Sequence, residues 1–308
     1  MRYSIKCFLI IAIFSNATVS IGQDNSRLTQ VKIKNYLPHM TVPEVEDLLT
    51  KTDMVIIPVG ALEQHGKHLP IGTDFLNGVE RSILIAQQSE VMVAPVLMAG
   101  QSPYHMGFAG SITLSAETII QVHMEAVESL IRHGFKRFLI SNAHGGNRAI
   151  CNLIVDQINQ TTEGIAVDLN VALGPFRQKL DIEAPKIFDR HGGVSETSRS
   201  MYLIPDLVQM DKAVTAELTL PPHMERMLPD VVAKDPTALR VFLAEGLKAE
   251  ETGKGTSSSE MSTTGVWGLR DLQEASVEQG KAEIDNYVDA AIKFIERWNE
   301  LRPPHTKN

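Results

Sequence analysis

Short runs of aliphatic and β-branched residues alternate with stretches of helical hydrophobic period along most of the chain. Asp53 to Gly60 (DMVIIPVG), Val91 to Leu97, Arg137 to Asn142 and Ile165 to Leu173 are apolar enough to predict buried strands. Between them, Leu76, Val79, Ile83 and Ala86 recur at the spacing of a helix over Thr73 to Ser89. Ser115 is placed to cap a second helix that runs to His133 and stops at Gly134. Asn147 to Asn159 predicts a third helix, and Glu196 to Leu203 another. Ile284, Val288, Ala291, Ile295 and Trp298 mark one face of a long C-terminal helix. Gly253 to Thr264 (GKGTSSSEMSTT) is small and polar, and predicts a loop.

Strands that alternate with helices imply an α/β fold with a mostly parallel central sheet covered on both faces. Sites on such sheets lie in loops leaving the carboxyl ends of the strands. The first apolar run breaks this rhythm. Arg2 and Lys6 precede Cys7 to Phe14, and small or polar residues follow to Gly22. That reads as a signal peptide over residues 1–22, too short to span a bilayer, with a single domain over 23–308 exported to the periplasm or medium. Its removal takes the formal charge from −8 to −10, against nucleic acid or an anionic membrane as partner. It also leaves Cys151 as the lone thiol, so no internal disulfide can form, and the residue reads as an apolar core group.

Three polar clusters fall in strand-end or glycine-rich positions. Glu63 and His65 follow the first strand in Gly60-Ala-Leu-Glu-Gln-His-Gly, two residues apart and so on one side of an extended segment. Asp74 opens the next helix, where a carboxylate could equally be a cap. His144 ends the strand 137–142 and precedes Gly145-Gly146, a step that lets backbone approach a ligand. His191 and Glu196 flank a second Gly pair in HGGVSETS. Three carboxylates with three imidazoles suit zinc, manganese or similar ions rather than calcium. More than four ligands suggests two metals sharing a carboxylate, about 3.5–4 Å apart.

At these residues the chain resembles the creatininase (creatinine amidohydrolase) family. The likeness rests on the strand and loop 54–74 ending in PVGALEQHGKHLPIGTD, on GFAGSITLSAET at 107–118, on SNAHGGN at 141–147 and on HGGVSETS at 191–198, with a weaker match in TGVWG at 264–268. The resemblance implies a three-layer α/β/α domain, two divalent ions (zinc or manganese) and a homo-oligomer, commonly a hexamer. It assigns Glu63, His65, Asp74 and His144 as metal ligands, with Asp74 bridging, and gives His191 a proton-transfer role. Gly146 stands where creatininase itself has a Glu, which moves the remaining ligand to Glu196, also counted with His191 as catalytic. Ala109 and Leu269 are further departures.

The expected activity is hydrolysis of a C–N amide bond, of cyclic amide or lactam type, in a small molecule by metal-activated hydroxide. His105, Gly145, Gly146 and Trp267 are the candidate substrate contacts. His68 reads as a supporting residue, and His123 and His133 as ordinary helix positions. A deformylase or lactonase on the same site, or a non-catalytic metal- or solute-binding protein, are the alternatives. A serine hydrolase is disfavoured because no Gly-x-Ser-x-Gly is present. Val214 to Ser262 matches no recognisable pattern and is a candidate cover for the site.

Overall fold

The protein's structure, a computed structural model, describes residues 31–180 and 188–305. The signal-peptide expectation, with Cys7, lies outside them. The elements below all belong to one compact unit, Ile33–Asn308. In chain order they begin α1 (Val42–Leu49), β1 (Met54–Val59), α2 (Thr73–Gln88), β2 (Met92–Val93), α3 (Ala116–His133), β3 (Arg137–Asn142), α4 (Arg148–Thr161), β4 (Ile165–Asp168) and α5 (Leu169–Ala172). There follow β5 (Asp189–His191), α6 (Val194–Leu203), α7 (Pro222–Glu225), α8 (Leu228–Val232), α9 (Pro236–Glu245), α10 (Ser258–Met261), β6 (Trp267–Gly268) and α11 (Val277–Leu301). Among the described residues no helix is long and apolar enough to cross a membrane.

The central sheet has the order β2-β1-β3-β4, and every pairing in it is parallel. Alternation along β1 and β3 divides the core. Met54, Ile56 and Leu139 pack with Val79, Ile83, Ile284, Val288 and Ile295 of α2 and α11. Val55, Ile57, Phe138 and Ile140 pack on the other face with Leu48, Ile119, Val127, Ile150 and Ile154 of α1, α3 and α4. Both faces are covered, so the sheet is the middle of three layers. Cys151 is fully buried there, and burial pushes its thiol up to about 12, which keeps it protonated and inert.

Two predicted strands end early. Val91 to Leu97 pairs only at Met92–Val93, because Pro95 lacks an N–H and the chain leaves the sheet after Ala94 donates to Ile56 O. Ile165 to Leu173 is strand only to Asp168, whose carboxylate then accepts from Val171 N and starts α5. The expected loop 253–264 contains α10, held by a capping box between Ser257 and Glu260. Ser115 and Gly134 do bound α3: Ser115 Oγ accepts from Thr118 N, and Gly134 closes the helix at φ +113°.

A satellite core of Leu220, Met224, Val231, Phe242, Met261 and Trp267 joins the 214–262 segment to β6. β6 pairs antiparallel with β5, beside the carboxyl ends of β1 and β3.

Candidate metal centre and active site

The site begins where β1 ends. Glu63 N donates to Ile71 O, and Leu62 pairs with Ile112, so the loop after β1 is fixed by backbone bonds at both sides. Gly60 allows this loop to press on α2, since a Cβ there would stand 2.5 Å from Phe75 Cα. Asp74, the second residue of α2, is not a cap: the N-cap position is Gly72 and no side chain caps the helix. Its carboxylate turns into the site instead. Asp74 Oδ1 lies 3.2 Å from His65 Nε2, and Oδ2 lies 2.9 Å from His144 Nδ1.

Three overlapping donor sets result: Glu63, Asp74 and His144; His65, Asp74 and Glu196; and Glu63, His65 and His191. Asp74 belongs to the first two, one on each of its oxygens. Glu63, His65, Asp74, His144 and His191 are buried, and Glu196 is half-buried. Glu196 sits in the first turn of α6. Asp189 caps that turn by accepting from Val194 N and Ser195 N at 3.0 and 3.1 Å. Burial pushes the Asp189 carboxyl up, and those two amides pull it back.

Backbone carbonyls orient the imidazoles. His65 Nδ1 donates to Glu63 O at 3.2 Å, which leaves Nε2 bare toward Asp74 and Glu196. His144 Nε2 donates to Gln101 O at 3.0 Å, which leaves Nδ1 toward Glu63 and Asp74. His191 Nε2 donates to Gln64 O at 2.6 Å, and its Nδ1 stands 3.6 Å from Glu63 Oε1. Such outer bonds are how metal-binding imidazoles are usually held.

A divalent pair fits these donors. Glu63 Oε2, His65 Nε2 and Asp74 Oδ2 are buried without a well-directed hydrogen bond, although His65 Nε2 and Asp74 Oδ2 each have a polar neighbour close by. Atoms that near, yet not aimed at one another, face a shared third partner. Electrostatics agrees. Burial lowers His65, but the carboxylates of Asp74, Glu196 and Glu63 outweigh it and hold the ring at about 10. His144 is raised well above its usual value against the same burial, by Glu63 and Asp74. Burial raises Asp74, and His65 and His144 more than reverse it. The carboxylates demand positive charge, which cations can supply as well as protons.

The remaining expected residues separate. Burial and neighbouring rings lower His105 and His191, keeping both neutral. Their rings stack at 4.2 Å, and His105 Nε2 is 3.6 Å from Glu63 Oε1. A cavity of about 130 Å³ lies over the ligands, lined by Tyr104, His105, Gly145, Trp267, Leu243 and Leu247 among others. Gly146 is not on its wall: a Cβ there would meet His144 Nε2 and Tyr104 Oη at 2.5 Å, so the glycine makes room for that packing. A Glu side chain at this position would displace the Tyr104–His144 pair. His68 braces α6 through Thr197 Oγ1 at 2.8 Å, and His123 is wholly buried while His133 is exposed.

Sequence reasoning missed Tyr104, whose hydroxyl is 3.2 Å from His144 Nε2, and Ser258, whose hydroxyl is 2.7 Å from His105 Nδ1. Tyr104 stood beside His105 in Ser-Pro-Tyr-His and could have been read with it. Ser258 lay in the low-complexity run, where only the Ser257/Glu260 spacing signalled order.

The chain is similar to several known proteins. A family model described as creatinine amidohydrolase matches residues 38–295. The creatinine amidohydrolase of Pseudomonas putida is 30% identical over 222 residues, covering 65% of this chain and 82% of that protein. The mycofactocin precursor peptide peptidase of Mycobacterium tuberculosis is 27% identical, over 84% of this chain and 94% of its own length. The 3-dehydro-scyllo-inosose hydrolase of Thermotoga maritima is 26% identical, but the match spans 60% of that protein. Among solved structures, a manganese form of creatininase superposes with a TM-score of 0.59 at 22% identity, covering 88% of this chain and all of that one. A zinc–zinc creatininase variant gives 0.59 at 22%, covering 88% of this chain and 99% of that one. The chain belongs to the creatininase family of hydrolases.

Proposed function

We propose that this protein is an exported, homo-oligomeric amidohydrolase that uses two divalent metal ions to hydrolyse a C–N amide bond in a small molecule. The observation that carries the reading is the placement of Asp74, with one oxygen 3.2 Å from His65 Nε2 and the other 2.9 Å from His144 Nδ1. Glu63, Asp74 and His144 would hold one ion, and His65, Asp74 and Glu196 the other. Zinc and manganese both suit this mixture of imidazole and carboxylate. Bound there, such ions polarise a carbonyl and bring the pKa of water from ~15.7 towards ~7.

The chain's own residues do the rest. Leu243, Leu247 and Trp267 wall the cavity with apolar surface and restrict bulk water. His191 donates Nε2–H to Gln64 O, so its Nδ1 holds the lone pair on the ligand side. That nitrogen takes a proton from the nucleophile and returns it to the departing amine. General acid–base steps of this kind typically contribute about 10²–10⁴-fold. His105 stacks against His191 and keeps the ring from rotating away. Gly145, at the cavity wall, lets an acyl oxygen approach the turn closely.

The test is metal content with turnover. Protein purified without chelator and loaded with zinc or manganese should hold about two ions per chain. Asp74→Asn, with an unchanged circular-dichroism spectrum, should fall to one or none and lose acetate release from N-acetylated amines. A folded Asp74→Asn protein that keeps both ions and its turnover would overturn the reading.

A further inference from the structure

We propose that Arg190 is the specificity-determining residue of this site and selects amides that bear a carboxylate next to the scissile nitrogen, such as N-acyl amino acids. The inference rests on the hydrolase reading above and adds the substrate class to it.

The first observation is backbone geometry. β5 and β6 pair through Asp189 with Gly268 and through His191 with Trp267, and the register shifts between them. Arg190 is therefore the extra residue of a bulge, with no residue opposite it. Bulges next to active sites re-aim a side chain out of the alternation a regular strand would impose. Here Arg190 is turned to the cavity wall, and a Cβ added to Gly145 would lie 3.5 Å from its Nη2. The guanidinium thus reaches across the mouth from β5 to the turn after β3.

The second observation is charge. Among the described residues, Arg190 is the one Lys or Arg side chain on the wall of this cavity. Glu63, Asp74 and Glu196 supply three negative charges at its floor. Two bound divalent ions would exceed these by one, and Arg190 adds another. A cationic substrate meets repulsion in that field, and an anionic one is drawn in. A guanidinium also matches a carboxylate in shape, through two parallel N–H donors.

The third observation is the rest of the wall. Leu243 and Leu247 are apolar, and Trp267 Nε1 is buried without a hydrogen-bond partner. The indole ring of Trp267 extends that apolar surface. The cavity, at about 130 Å³, therefore combines a small apolar surface and one cationic clamp. A compact acyl group with a carboxylate one or two bonds beyond the amide nitrogen meets both.

The experiment compares matched pairs on the full-length, metal-loaded protein. Acetate release is measured from N-acetylglycine and from neutral N-acetylglycinamide. Equilibrium binding is measured for 4-oxopentanoate, in which a methylene replaces the scissile N–H, and for neutral hexane-2,5-dione. Wild type should favour the carboxylate member of each pair by about tenfold or more, the worth of a charge-assisted bond. Arg190→Gln should erase most of that preference, and Arg190→Lys should restore only part of it, because one ammonium cannot make the paired contact. Equal preference in wild type and Arg190→Gln, in either pair, overturns the assignment of Arg190. Release of acetate from neither amide by protein holding its metals counts against the hydrolase reading, and the binding pair still decides the role of Arg190.

Discussion

Ser258 Oγ lies 2.7 Å from His105 Nδ1 and, on its other side, donates to Tyr104 O at 2.6 Å. One hydroxyl from α10 thus ties the His105 ring to the backbone carbonyl of Tyr104, the residue before it, across more than 150 residues of sequence. Because the hydroxyl proton goes to Tyr104 O, His105 Nδ1 donates to Ser258 Oγ, while Gln64 Nε2 packs 3.1 Å from the same nitrogen and donates instead to Gly265 O. The ring is thereby fixed with Nε2 toward Glu63, in contact with His191.

Ser258→Ala should therefore lower kcat/KM about tenfold, the equivalent of one lost hydrogen bond, while metal content stays at the wild-type value. The expectation separates positioning from ligation, since His105 belongs to none of the three donor sets. Steady-state kinetics and metal analysis on the same preparation check it. Loss of metal together with activity would show that Ser258 supports the ligand shell rather than His105.

The contrast between Glu63 and Ser258 shows what was legible in the sequence. Glu63, His65, His144 and Glu196 each follow a strand end or a Gly pair, so local chemistry and chain direction mark them without knowledge of the fold. Asp74 was ambiguous, because a carboxylate at a helix start is a cap as often as a ligand. Its carboxylate between His65 and His144, with Gly72 at the N-cap position, is what speaks for a ligand over a cap. Ser258, Leu243 and Arg190 were not legible for another reason. Their roles depend on where the 214–262 segment folds back, and on a one-residue bulge in a two-stranded pairing. Neither leaves a period in the sequence. The strand lengths failed at Pro95 and Asp168, where a missing donor and a cap outweigh β-propensity.

Gly280 provides a prediction about the scaffold. In α11 a Cβ at this position would stand 1.9 Å from Ser198 O and 2.4 Å from Ser198 C, both backbone atoms of α6. The two helices touch backbone to backbone, and Glu196 lies two residues before Ser198. An exposed helical glycine usually gains stability on change to alanine. Here the sign should reverse, with Gly280→Ala destabilising by about 1–3 kcal/mol, the typical cost of overpacking. Displacing α6 should also weaken binding of the ion held through Glu196. Urea denaturation and metal titration test both; a variant as stable as wild type would show that α6 and α11 part without cost.

His123 ties stability to pH away from the candidate metal centre. His123 is fully buried in α3; Nδ1 donates to Ile119 O at 2.7 Å, and Nε2 has no partner among the described residues. Burial lowers its pKa from the usual ~6.5, and the Ile119 bond only partly opposes this. The folded state therefore holds the ring neutral at a pH where the unfolded chain already binds a proton. Because the unfolded state then carries more protons, stability must fall as pH drops below about 6.5. The loss continues until the folded pKa is reached. Replacing the ring removes this term, so the comparison with His123→Leu isolates it from the metal-site histidines, which titrate in both proteins. Between pH 7.5 and 5.5, wild type should lose about 1 kcal/mol more than His123→Leu. Urea midpoints at the two pH values give the difference. A constant offset between the proteins would mean that water or a rearranged helix solvates the charged ring, and that His123 is less isolated than its burial implies.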